Sequence, residues 1–287
     1  MKKTLIILTL FIGTLSYAKL PIIVSIVPQK TFAEAIGGDL VDVTVMVQPG
    51  SSPHTYEPKP SQMRQIAGAK MYLAIGVEFE SVWLPKFHDL NPTLPIVNVS
   101  RGITRRAMQE AHHHEGDTAE GKEHDHLDPH IWTSPANVKI IAHNILEALV
   151  AADKEHADTY RKHYQNFLKH IEQTDAKIRS LLSNVPKGTK FMVFHPSWGY
   201  FADAYGLVQL PVQVAGKSPK PRELVELIKQ ARQEHVRAIF TQPEFSDRMA
   251  QVMAHELHIP VRKISPMAPD WSANLILLAR DIAGKGT

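Results

Sequence analysis

Residues 135–185, PANVKIIAHNILEALVAADKEHADTYRKHYQNFLKHIEQTDAKIRSLLSNV, contain neither glycine nor proline after Pro135. Ile140, Ile141, Ile145, Leu146 and Leu149 fall on one face at helical spacing. A second helix is expected over about 154–182, where ~1.5 Å per residue gives a span of roughly 40 Å. Such a length is unusual inside one domain and suits a stiff connector between two. Pro186 and Gly188 end it.

The flanking sequence has the same layout on both sides. Before the connector, short β-rich runs occupy 22–27, 41–47, 71–75 and 96–99, with short helices expected at 32–36 and 60–68. After it, runs at 190–194, 208–214, 237–240 and 261–264 alternate with helices expected at 223–234, 248–257 and 271–282. Strand–helix alternation of this kind gives parallel sheets covered by helices. The expected fold is α/β with two lobes. Each is a roughly four-stranded, mostly parallel sheet flanked by helices, and a long rigid helix joins them. The first lobe covers 19–134, the connecting helices 135–185 and the second lobe 186–287.

Residues 1–18 read as a secretory signal peptide. Lys2 and Lys3 precede an apolar run over 5–12, and Ser16 and Ala18 supply the small residues of a cleavage site. The run is too short to span a membrane. The formal charge of +3 includes those two lysines, so the remainder carries about +1. No basic tract interleaved with aromatics suggests a nucleic-acid partner. The chain has no cysteine, so disulfides, thiolate metal ligands and a lipid-bearing cysteine at the cleavage site are excluded. A soluble periplasmic monomer is expected.

Histidine is over-represented, with 16 residues. His54, in Pro49-Gly-Ser-Ser-Pro-His54, follows the 41–47 run, His195 comes directly after the 190–194 run, and His130, in Asp128-Pro-His130, stands just before the helix that begins at Pro135. Asp270 follows the 261–264 run. Ligands of open α/β sheets bind at the carboxyl ends of strands, a rule that His54, His195 and Asp270 fit, and these three with His130 are the candidate ligands of one metal in the interlobe cleft. Three imidazoles and a carboxylate suit zinc, whereas manganese or magnesium favours more oxygen.

The other histidines read differently. His156, His163 and His170 recur every seven residues along the long helix, about 10 Å apart, and cannot share an ion. His255-Glu-Leu-His258 is one residue short of the metalloprotease spacing. Residues 110–128 hold His112, His113, His114, His124 and His126 among acidic residues. With almost no apolar side chains, this segment is expected to be a mobile loop that attracts metal.

Three phrases resemble one family. Pro49-Gly-Ser-Ser-Pro-His54-Thr-Tyr-Glu-Pro, Asp128-Pro-His130-Ile-Trp and Phe194-His195-Pro-Ser-Trp-Gly-Tyr-Phe-Ala are similar to signatures of metal-binding substrate-binding proteins of ABC transporters, in particular the zinc-uptake (ZnuA-like) branch. The resemblance spans essentially the whole chain beyond the signal peptide. It implies a metal held between two lobes, delivery to an ABC transporter permease, and no catalysis; a periplasmic metallochaperone is a further candidate partner that the resemblance does not itself imply. Manganese-type members place a glutamate ligand where this chain has Gln242. Glu244, two residues on, is expected to point elsewhere. The resemblance thus leaves His54, His130, His195 and Asp270 for Zn2+, although in some zinc members water or a loop residue completes the shell. The alternatives are the same scaffold carrying manganese or iron, a secreted zinc hydrolase, or a metal-buffering protein.

Overall fold

A computed structural model describes residues 18–108, 127–213 and 217–285. Most of the signal-peptide segment and of the His-rich segment 110–128 lies outside these residues. The first lobe contains β1 (Leu20–Val24), α1 (Val27–Gly37), β2 (Val41–Val45), α2 (Pro60–Gly68), β3 (Met71–Ala74), α3 (Glu78–Leu90) and β4 (Ile96–Asn98). Its sheet order is β2-β1-β3-β4, with every pairing parallel. All four β3 residues are buried, as a strand covered on both faces requires.

The connector consists of α4 (Pro135–Ala152) and α5 (Ala157–Leu182). The second lobe contains β5 (Lys190–Val193), α6 (Gly199–Tyr205), β6 (Val208–Pro211), α7 (Pro221–Gln233), β7 (Ile239–Thr241), α8 (Arg248–Leu257), β8 (Val261–Lys263) and α9 (Trp271–Ile282). Its order, β6-β5-β7-β8, repeats that of the first sheet, again wholly parallel. In both sheets the first strand in sequence lies inside, with the second and third on opposite sides of it. This places a crevice at the carboxyl edge of each sheet.

The sequence expectation differs from the structure in detail. Lys154–His156 form a 3-10 turn before α5 begins. Asp153 explains the turn: Oδ2 accepts from His156 Nδ1 at 2.8 Å and from Tyr160 Oη at 2.7 Å. Helices α3 and α6 go beyond the sequence reading. Pro85 lies inside α3, where an internal proline argues against a helix. The α6 helix is only 7 residues long.

Helix α5 joins the lobes through packing as well as sequence. Its Phe167 lies 5.7 Å from Phe32 of α1, and Phe32 meets Trp271 of α9 edge-on at 5.6 Å. All three rings are buried, and burying each contributes about 1.5–3 kcal/mol. Thr174 Oγ1 and Ser272 Oγ hydrogen-bond at 2.6 Å, fixing α9 against the same helix. One apolar core therefore runs through both lobes. A second core, including Met192, Leu210, Leu227 and Met253, lies under α7 and α8.

The cleft floor is also fixed. Fully buried Trp132 donates Nε1–H to the Pro266 carbonyl at 2.8 Å. Trp271 donates Nε1–H to the Trp132 carbonyl at 2.7 Å.

Candidate metal centre

His54 lies in the loop after β2. Gly50 turns that loop at φ 81°, a left-handed conformation that glycine adopts without steric cost. Gln62 of α2 then pins the loop: its Oε1 accepts from Tyr56 Oη at 2.6 Å and from the Lys59 backbone at 2.9 Å, while Nε2 donates to the Met46 carbonyl at 2.7 Å. His130 precedes α4 and is buried. His195 follows β5, buried, with its ring stacked on Phe245 at 4.9 Å.

Among the described residues, these three form a group of donors able to share a metal ion. One ligand atom from each lies within 4.8 Å of the others. Ring centroids are 4.8 Å apart for His54 and His195, 5.3 Å for His130 and His195, and 5.8 Å for His54 and His130. The rings meet at 61–72° rather than stacking, so nitrogens converge rather than ring faces.

Hydrogen-bond accounting identifies which nitrogens. His54 Nδ1 is 2.9 Å from Glu78 Oε1, His130 Nδ1 is 2.8 Å from Asp128 Oδ1, and His195 Nδ1 is 2.8 Å from Gln213 Oε1. Each partner is an oxygen that accepts, so each neutral imidazole carries its proton on Nδ1 and presents a lone pair at Nε2. The Nε2 atoms of His54 and His195 are only 2.9 Å apart. Metal-ligating histidines have this arrangement, with the remote nitrogen donating to an oxygen that orients the ring.

The electrostatics agree. Burial and the neighbouring His130 and His54 push the His195 imidazole down to about 3, keeping it neutral at pH 7. At Glu78, burial pushes the carboxyl up, but the hydrogen bond from His54, with the charge that ring carries when protonated, outweighs it, and the group lies below the usual carboxylate range. Asp128 is fully buried, and its Oδ1 also accepts from the His130 backbone at 3.0 Å. Tyr200 of α6 donates to the Asp128 carbonyl at 3.0 Å, which ties the His130 segment to the second lobe.

Asp270 is not brought into this group. It is exposed and forms the N-cap of α9, with Oδ1 accepting from the Ala273 backbone at 3.0 Å. An aspartate immediately before a helical run has this capping role because it satisfies an otherwise free N–H. Glu244 also differs from expectation. It lines the small cavity formed by the three histidines, with Gln242, Phe245, Trp132 and Met267 among its neighbours. Gln242 lines it too, but donates its amide to Ser197 Oγ. The cavity measures about 10 Å³, room for about one water or one ion.

Glu78 and Gln213 had no signal in the sequence reading, because nothing in one dimension aligned them with their histidines. Asp128 did have one, standing two residues before His130. The histidines of α5 are engaged elsewhere: His163 Nδ1 lies 3.2 Å from the Ile36 carbonyl, and His170 stacks on Phe167.

Comparison with known proteins places the chain in context. The family described as "ZnuA: Zinc-uptake complex component A periplasmic" matches residues 22–275. A solved structure titled "Crystal structure of ZnuA" superposes with a TM-score of 0.85 at 38% identity, covering 93% of this chain and 99% of that one. The high-affinity zinc uptake system protein ZnuA of Bacillus subtilis is 28% identical over 245 residues, 83% of this chain and 76% of the relative. The iron-binding protein YfeA of Yersinia pestis is 28% identical over 231 residues, 79% and 70% of the two chains.

Proposed function

The chain belongs to the ZnuA family of periplasmic zinc-uptake components, and we propose that it captures Zn2+ in the periplasm and delivers it to an ABC transporter permease. The observation that carries this reading is the convergence of three imidazoles whose Nδ1 atoms all face oxygen acceptors. Three lone pairs directed at one point repel one another, and a cation relieves that repulsion. His54, His130 and His195 are the proposed ligands, with Nε2 as the donor atom of each. Asp270 does not join them while it caps α9.

Nitrogen-rich coordination supports zinc over manganese, which favours carboxylate and water oxygens. The iron-binding relative YfeA supports a second reading, in which this scaffold carries iron or manganese. The match to a family of zinc-uptake components supports a transport role over a hydrolase. His54, with a side chain 23% exposed, gives the ion a route to solvent and to the permease.

Residues 1–18 would direct secretion. The His-rich segment 110–128 would collect zinc at weaker sites and feed the centre, alone or with a metallochaperone. Native mass spectrometry of the secreted chain mixed with equimolar Zn2+, Mn2+ and Fe2+ tests the reading. One tightly held zinc is expected, and preferential retention of manganese or iron would overturn the zinc assignment.

A further inference from the structure

Three histidines leave one position of a tetrahedral zinc shell open, and the cavity wall holds one carboxylate, Glu244. Glu244 Oε1 accepts from Ser265 Oγ at 3.0 Å. Its Oε2 is buried and has no hydrogen-bond partner among the described residues. Such an oxygen is costly to bury, and burial raises the Glu244 carboxyl above its ordinary range. The residue sits just beyond β7, next to Phe245, whose ring stacks on His195. The backbone N–H of Phe245 donates to the Gln242 carbonyl at 3.2 Å, a turn that holds this segment against the cavity. Gln242 commits its amide to Ser197 instead.

We infer that Glu244 is the fourth ligand, binding zinc through Oε2 while Ser265 holds Oε1. This inference rests on the three-histidine reading and adds the residue that closes the shell. Glu244 stands outside the set of donors within 4.8 Å of one another, so zinc draws it in by side-chain rotation. A carboxylate with one oxygen on the metal and the other hydrogen-bonded is an oriented ligand. The second lobe then contributes two ligands, His195 and Glu244, matching the two from the first lobe.

Glu244→Gln tests the inference, because the amide oxygen still accepts from Ser265 and the volume is kept. Zinc affinity by competition with a chelator is expected to fall roughly 10- to 100-fold, the range already seen when groups that merely orient ligands are lost. The absorption spectrum of the Co2+-loaded protein is expected to change as oxygen donation is altered, while thermal melting of the chelator-treated protein stays close to wild type. Wild-type zinc affinity together with an unchanged Co2+ spectrum in Glu244→Gln would overturn the inference and leave the three-histidine site standing. His195→Ala is the control for that site: if it retained full zinc affinity, the underlying reading itself would fail, and the Glu244 inference with it.

Discussion

His54 Nε2 and His195 Nε2 lie 2.9 Å apart although 141 positions separate the residues in sequence. Both rings have their protons committed on the far side, to Glu78 and Gln213, so the facing atoms are both acceptors. An ion at this point bridges the lobes, because His54 follows β2 of the first sheet and His195 follows β5 of the second. Zinc should therefore stabilise the whole fold by mass action, by about 2.7 kcal/mol when free zinc is 100 times Kd. Calorimetric melting with and without zinc checks this. The shift should vanish in His195→Ala, and a shift of equal size in that variant would place the stabilising ion elsewhere.

Glu78 orients His54 from outside the cavity, and its half-exposed side chain makes truncation structurally mild. Glu78→Ala should weaken zinc binding roughly 10-fold, at the low end of the range for groups that orient ligands. Melting of the zinc-free protein should change by less than about 0.5 kcal/mol, as for surface substitutions. Titration calorimetry reads the first quantity and denaturant unfolding the second. Unchanged affinity would mean that the turn held by Gln62 positions His54 unaided.

Acid should act through His195. Its folded value, about 3, lies below the ordinary 6.5, so the unfolded chain takes up a proton before the folded one does. The sign follows from linkage: stability is fully present above about 6.5 and falls as pH drops toward 3, by up to about 5 kcal/mol. Chemical unfolding of the zinc-free protein between pH 7 and 4 measures the slope. His195→Gln should flatten it, whereas parallel slopes in the two proteins would exclude His195 as its source.

Asp270→Ala should cost about 1 kcal/mol of stability through loss of the α9 cap and leave zinc affinity unchanged. A 10-fold loss of affinity with unaltered stability would reverse the assignment and return Asp270 to the metal shell.

Much of the framework was legible in the sequence because it depends on local pattern. The β-rich runs, their alternation with helices and the absence of breakers over 136–185 gave the two parallel sheets and the connector. That His54, His130 and His195 converge followed from the places of His54 and His195 after strands together with the three phrases that carry the family resemblance. The rest depended on direction, which the chain does not reveal one residue at a time. Asp270 reads as a ligand because it follows a strand, and in the folded chain it caps α9, where Ala273 N–H engages it. Glu78 was hidden because it meets His54 only in the folded chain. Glu244 was expected to face away, but the turn between Gln242 and Phe245 brings it to the cavity wall.

The central claim is most directly tested by a crystal structure of the zinc-soaked protein, with anomalous diffraction measured at the zinc edge. One strong peak is expected, about 2.0–2.1 Å from the Nε2 atoms of His54, His130 and His195. A peak bonded through Nδ1 atoms, or a zinc-loaded protein with no peak between these three rings, would contradict the account.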